Sequence, residues 1–312
     1  MNIVFFGTSE FAVPALRGLL DSKHKVLAVV TQPDRKRGRD LKVSPPPTKV
    51  LALTRNVPVY QPQDASGRDS IEYLRELGAD LFVVISFGQI LKAGVLEIPK
   101  FYSINLHASL LPKYRGAAPT NWALINGERS TGLTVIKMNE RMDEGDIILK
   151  EPLAIDGEDT NITLSEKLSE AGLGLLLKAM DLIGSENGTL EKQDDKKATY
   201  APKLKKQDGL VDWNDSAHTI HNRVRGLLPW PGAYTHYEGK ILKILNTEVA
   251  DSLTAKALKY GEVADVIKDK GIVVRAGSGD LIIKYLQLEG KKALDADSFV
   301  RGHRIGKGYI FS

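Results

Sequence analysis

The residues best placed to do chemistry stand at the end of an apolar run, Ser103-Ile104-Asn105-Leu106-His107. Alternation along an extended chain puts Asn105 and His107 on one face, two positions apart. An amide and an imidazole side by side can both donate to one oxygen on which negative charge grows. A third group stands in the loop Arg141-Met142-Asp143-Glu144-Gly145-Asp146. There the Asp143 carboxylate could hold the imidazole in its useful protonation state and help collect a proton from an attacking nucleophile. Spacing alone leaves a second reading open. An isolated Asn-x-His can serve structure, and Asp with Gly in a turn is ordinary turn chemistry.

The elements that must position these groups follow an α/β rhythm. Ile3–Phe6, Val26–Val30, Pro58–Tyr60 and Leu81–Ile85 have the apolar character of strands, with helical spacing in Phe11–Leu20 and at Ile71, Leu74 and Leu77. Ser103–His107, Gly132–Met138 and Ile147–Leu149 continue the strand pattern, and Thr163–Ile183 is helical in spacing. Strand, helix, strand at this rhythm predicts a mostly parallel sheet with helices on both faces. Ligands of such sheets bind beyond the carboxyl ends of the strands, where Asn105 and His107 stand. A chain of 312 residues exceeds what one core usually holds, so two domains are expected. The boundaries fall at 1–187 for the α/β domain, 188–206 for a polar linker and 207–312 for a second domain. In that second domain a short helix at Ala217–Leu227 precedes short strands broken by turns such as Asp269-Lys270-Gly271, the pattern of a small barrel or sandwich.

Composition narrows the chemistry. Hydrophobic residues make up 42% and charged residues 26%, an ordinary globular balance. The absence of cysteine excludes disulfides and thiolate-bound metals. His218 and His221 have helical i, i+3 spacing, yet no third ligand accompanies them, so no metal site is expected. The N-terminal run lacks a basic leader and a small-residue cleavage site, and no apolar stretch approaches the roughly 20 residues that span a bilayer. A cytoplasmic protein without membrane attachment is expected. The first strand leads into Gly7-Thr8-Ser9-Glu10, without the glycine-rich phosphate turn of a nucleotide-dependent dehydrogenase.

The run from Asn105 to Pro112, followed by Tyr114-Arg115-Gly116-Ala117-Ala118-Pro119, resembles the signature of the folate-dependent formyltransferases. The likeness extends over essentially the whole chain, through Phe6-Gly7-Thr8, Thr31-Gln32-Pro33-Asp34-Arg35, Met142–Ile147, Tyr200-Ala201-Pro202-Lys203 and Pro229–Ala233. The resemblance implies a Rossmann-like formyltransferase domain followed by a small OB-like β-barrel domain. It implies 10-formyltetrahydrofolate as formyl donor and no metal. It places the family's catalytic residues on Asn105, His107 and Asp143, and its folate-binding segment on Ser109, Leu110, Leu111 and Pro112.

The acceptor needs a separate argument. Five cations lie between Arg35 and Lys42 against one internal acid, Asp40, and such a loop either binds phosphates or is simply solvated. Members of the family that act on tRNA carry a basic loop here, and Arg39 matches the arginine of its Gly-Arg pair. The resemblance therefore implies methionyl initiator tRNA as partner, contacted by Arg35, Arg37, Arg39 and Lys42 and by a tRNA-binding second domain; a monomer is expected, though nothing in the residues fixes it. The triple proline at 45–47 and the added Lys36-Arg37 depart from the pattern and bear on the detailed contacts. Formylation of a sugar nucleotide from the same donor is the alternative, disfavoured by Gly116-Ala117-Ala118-Pro119 and by the basic loop. Trp230, between two prolines, is expected to be a packing anchor rather than a platform for a base.

Overall fold

The structure is a computed structural model and describes residues 1–37, 42–185, 189–250 and 258–311; of Lys36, Arg37 and Lys42 it describes only the backbone. The chain forms two compact units, Met1–Pro119, Ser130–Ala154 and Ser165–Ala201 in one, and Thr120–Arg129, Ile155–Leu164 and Pro202–Ser312 in the other.

In the first unit the elements run β1 (Asn2–Gly7), α1 (Val13–Leu20), β2 (Lys25–Val30), β3 (Arg35–Arg37), β4 (Lys42–Ser44), α2 (Pro47–Thr54) and β5 (Val59–Tyr60). There follow α3 (Arg68–Glu76), β6 (Leu81–Ile85), α4 (Ala93–Leu96) and β7 (Ser103–His107). After α5 (Pro119–Ile125), most of which belongs to the second unit, come β8 (Ser130–Lys137), β9 (Ile147–Ala154) and the long α6 (Asn161–Gly184). The seven-stranded sheet has the order β5-β2-β1-β6-β7-β8-β9. Its first five strands are parallel, β8 runs against β7, and β9 runs against β8.

The continuous apolar runs follow from burial on both faces. All five residues of β6 are buried, as expected of a central strand covered on each side. One face carries Val4, Phe6, Val30, Phe82 and Val84, which pack with Leu74, Phe87 and Val95, and the Phe6 and Phe82 rings lie 5.1 Å apart. On the other face α6 approaches β7 so closely that a Cβ at Gly172 would lie 2.7 Å from Leu106. The parallel register sets Asn105 beside Val84 and therefore on the first face, where the apolar cluster gives way to polar groups.

Three local features differ from the sequence-based expectation. The basic stretch is not all loop, since β3 and β4 pair antiparallel at its base, with Arg35 opposite Ser44 and Arg37 opposite Lys42. The proline run seeds a helix: Pro46 is the N-cap of α2 and Pro47 its first residue, where a missing N–H costs nothing. Residues 189–201, in the stretch expected to be linker, are counted with the first unit. Glu191 exchanges backbone hydrogen bonds with Ile147, and Arg115 does so with Thr199 and Ala201.

The second unit contains α7 (Ala217–Gly226), β10 (Ala233–Tyr237), β11 (Lys240–Ala250), β12 (Val263–Ile267), β13 (Gly271–Arg275), β14 (Asp280–Leu288), β15 (Leu294–Asp295) and α8 (Ala296–Gly302). The expected β-rich domain is an antiparallel sheet of order β10-β11-β14-β13-β12, with β15 on β14. Ser216 caps α7 by accepting the Thr219 N–H, and the buried Asp280 pairs with Arg275 at 3.4 Å. Trp230 is 53% exposed, which corrects the expectation of a packing anchor. The neighbouring peptide bonds Leu228-Pro229 and Trp230-Pro231 are cis.

Candidate active site

Asn105 and His107 project from the carboxyl end of β7, as the alternation requires. The Asn105 amide nitrogen donates to the Val84 carbonyl at 3.0 Å, while its Oδ1 is buried with no partner. One amide N–H and one acceptor of this side chain thus remain uncommitted. His107 is 7% exposed and lies between two acceptors. Its Nε2 donates to the Tyr114 carbonyl at 2.9 Å, and its Nδ1 lies 3.5 Å from Asp143 Oδ1. Neither ring nitrogen is without a neighbour in this conformation, and an imidazolium here has both N–H groups accounted for.

Backbone strain converges on the same ring. Tyr114 and Asp143 both adopt left-handed conformations, with φ of 60° and 57°. Non-glycine residues in this region are uncommon, and they persist where their surroundings over-determine them. One turns its carbonyl and the other its carboxylate toward His107. Gly116 has φ of 124°, and a Cβ there would lie 2.6 Å from the Ala201 carbonyl. Its N–H donates to Asp143 Oδ2 at 2.8 Å, a charge-assisted bond.

The expected folate segment follows immediately, but its side chains divide. Ser109 is fully buried and its hydroxyl donates to the Lys113 carbonyl at 2.6 Å. Leu111 is packed with Ile136 and Ile147. Leu110 and Pro112 are half-buried. The backbone is held by Thr134, whose hydroxyl donates to the Ser109 carbonyl and accepts the Leu111 N–H. A cleft of about 580 Å³ lies instead at the amino end of β7, lined by Leu96, Phe101, Tyr102 and residues 137–141, and neither Asn105, His107 nor Asp143 lines it.

Of the expected RNA contacts, Arg35 is exposed but turned back, donating to Gln32 Oε1 at 3.0 Å. Arg37 and Lys42 are seen only as backbone partners in the β3–β4 pair, and Arg39 lies outside the described residues. The base of this pair is fixed by Lys49, which reaches Asp34 at 2.8 Å and Gln61 at 2.7 Å. In the second unit, the His221 imidazole meets the Thr247 hydroxyl at 2.9 Å. Burial and then the nearby Arg225 charge lower its pKa from 6.5 to about 4. Among the described residues, no group of three His, Cys, Asp or Glu is arranged to hold a metal ion.

Sequence reasoning assigned no role to Arg115, Tyr114 or Gln193, all of which surround the His107–Asp143 pair. Arg115 has a side chain only 2% exposed and joins Gln193 at 2.9 Å and Asp195 at 2.8 Å. Arg115 lay in the recognised signature, so a signal existed. Gln193 lies in a polar stretch whose composition says only that it is exposed or linking.

The fold and the site are those of a group-transfer enzyme on an α/β sheet, and comparison gives the class. A model of the formyl transferase family matches residues 1–180, and one of the formyl transferase C-terminal domain matches residues 203–304. The chain belongs to the formyl transferase family. Methionyl-tRNA formyltransferase of Citrifermentans bemidjiense is 47% identical over 308 residues, covering 99% of this chain and 95% of the relative. The enzyme of the same name from Moorella thermoacetica is 44% identical, covering 99% of both chains. Among solved structures, the sugar 3N-formyl transferase WlaRD, in the presence of dTDP and 5-N-formyl-THF, aligns with a TM-score of 0.66 at 20% identity. That alignment covers 94% of this chain and 99% of WlaRD. HypX from Aquifex aeolicus, in complex with tetrahydrofolic acid, aligns with a TM-score of 0.65 at 17% identity, covering 96% of this chain and 46% of HypX. At these identities the two structures establish the shared fold. No helix among the described residues is long and apolar enough to cross a membrane.

Proposed function

We propose that this protein transfers the formyl group of 10-formyltetrahydrofolate to the amino group of methionyl initiator tRNA. The observation that carries the chemistry is His107 held between the Tyr114 carbonyl and the Asp143 carboxylate, beside an Asn105 amide with hydrogen-bonding capacity to spare. That buried, unpartnered Asn105 oxygen fits a site that takes a polar ligand, because such an atom costs about 1–3 kcal/mol until something donates to it. When bound, the folate supplies a formyl carbon attached to nitrogen. A carbon–nitrogen bond forms to the methionyl amine, the bond to the folate nitrogen breaks, and one proton passes from the amine to that leaving nitrogen.

The residues of this chain then have distinct tasks. The free N–H of Asn105 donates to the formyl oxygen as its charge grows. The Nε2–H of His107 joins it when the Tyr114 carbonyl is released. Loss of one such donor typically costs about 2.7–4 kcal/mol of transition-state stabilisation. Asp143 balances the imidazolium and provides an acceptor for the proton leaving the amine. Leu110 and Pro112, with the backbone of Ser109 and Leu111, border the folate. Arg37, Arg39 and Lys42 bind the acceptor stem from the root that Arg35 ties to Gln32, and the domain of residues 207–312 holds the tRNA body. The resemblance across the full chain supports this acceptor. The enzyme acts as a monomer in the cytoplasm.

The test uses purified protein, 10-formyltetrahydrofolate and charged initiator tRNA. Formylmethionyl-tRNA is expected. Its absence, with formylation of an amino sugar nucleotide instead, would assign the protein to the sugar-directed branch.

A further inference from the structure

We infer that Gln193 is a positioning residue for this transfer, clamping the loop that carries Asp143, with the buried Arg115 guanidinium holding Gln193 in turn. The inference rests on the role proposed for Asp143. Its physical starting point is the left-handed backbone of Asp143, φ 57°, which a loop holds only when several contacts agree on it.

Gln193 supplies those contacts. Its Nε2 donates to the Asp143 carbonyl at 2.8 Å and to the Gly145 carbonyl at 2.7 Å, so one amide bridges two carbonyls of the same turn. Its Oε1 accepts from Arg115 Nε at 3.0 Å and from Nη2 at 2.9 Å. Both donors and both acceptor directions are used, and the amide has one workable orientation. Reversed, it would set its oxygen against two carbonyls and its NH2 group against a guanidinium. Arg115 is fixed by Asp195 at 2.8 Å and by Glu144, in the Asp143 loop itself, at 3.6 Å. The residue after Arg115 donates its N–H to the Asp143 carboxylate. Residues 115–116 and 193 thus grip the turn from its carboxylate, its carbonyls and its neighbouring Glu144. Gly145 leaves no slack, since any Cβ there would collide with the Lys137 carbonyl.

Gln193 acts through Asp143 rather than on the substrate. A merely structural alternative makes Gln193 nothing more than a partner for a buried arginine. Gln193→Glu separates the two, because it keeps an acceptor for Arg115, adds an opposite charge, and removes both N–H donors. Positioning predicts that kcat falls by about 10- to 100-fold, the scale on which roughly 1 Å of misplacement acts, while KM for both substrates changes less than about threefold. In an Asp143→Asn background the same change should cost less than about twofold, because both substitutions remove one function.

A second readout needs no turnover. Amide hydrogen exchange at Gly116 reports its bond to the Asp143 carboxylate, and it should accelerate in Gln193→Glu by more than any accompanying fall in global stability, read from the central strands β1 and β6, accounts for. Unchanged protection at Gly116, or near-normal kcat, in a folded variant overturns the inference. Should Gln193→Glu fail to fold, Gln193→Met fills similar space without charge, and failure of both to fold would assign Gln193 a purely structural role. If the parent protein transfers formyl to no amine, the proposed function fails, and exchange at Gly116 still decides whether Gln193 holds the loop.

Discussion

Replacing Asp143 with Asn tests the centre of the mechanism with little change in shape. The Asp143 carboxylate lies 3.5 Å from His107 Nδ1, and the side chains are 15% and 7% exposed. At an effective dielectric of 20, opposite charges at that distance attract by about 5 kcal/mol. At about 1.4 kcal/mol per tenfold, complete loss of that attraction sets a ceiling between three and four orders of magnitude in rate. The carboxamide retains a dipole toward the ring and an oxygen that can accept the Gly116 N–H, so a loss of about 100- to 1,000-fold in kcat is expected. Because the proposed role arises as charge develops, KM for folate and tRNA should change little. Single-turnover formylation of charged initiator tRNA, with the variant saturated in both substrates, measures the chemical step directly. A rate within about fivefold of the parent would remove Asp143 from charge balance, and a loss confined to KM would make it a binding group instead.

Two further expectations concern the second unit and the basic stretch. The pKa of His221 is lowered to about 4, chiefly by burial, so the folded state binds fewer protons there than the unfolded chain does. Its stabilising effect is complete above about pH 6.5 and is lost as pH falls toward 4, and after discounting for partial exposure it amounts to about 2 kcal/mol. Urea midpoints should therefore drop more steeply between pH 7 and pH 4.5 in the parent than in His221→Gln, and equal slopes would contradict the shift. Arg39→Ala should weaken tRNA binding and reduce the slope of log affinity against log salt by about 0.9, the share of one phosphate contact, with kcat at saturation retained. A slope equal to the parent's would leave Arg39 a solvated residue.

Much of the scaffold was legible because its physical causes are local. The unbroken apolar run Leu81–Ile85 is what a strand covered on both faces requires, and it is the buried central β6. Alternation placed Asn105 and His107 on a common face, and the end of β7 bears them there. Asp143 was less legible. Spacing offered an acid and a glycine in a turn, and only the family resemblance singled out that carboxylate. Gln193 was not legible at all, since its contacts with Arg115 span 78 positions of sequence and no periodicity marks them. Trp230 failed for a related reason. Aromatic character between prolines favours packing in general, but whether a neighbouring segment covers the ring is decided by the tertiary fold.

The basic stretch shows how one sequence signal can hold two physical roles. Counted as charge, Arg35 to Lys42 is a single cationic run. In the structure its first member belongs to the anchorage: Arg35 donates to Gln32, whose own side chain is buried at the carboxyl edge of the sheet. Just before it, Asp34 takes Lys49 and the Gln61 amide, which also reaches the Gln32 carbonyl. Those hydrogen bonds lower the pKa of Asp34, so the carboxylate stays charged well into acid and keeps its grip on Lys49. The stem is thus tied to the ends of β2 and β5, on the same edge of the sheet as His107. The phosphate-binding role proposed for this segment would gain from such a fixed root, because each fixed residue removes conformational entropy otherwise lost on binding. Anchorage at Arg35 and the recognition proposed for Arg37, Arg39 and Lys42 are therefore separable tasks, and the charge count alone could not divide them.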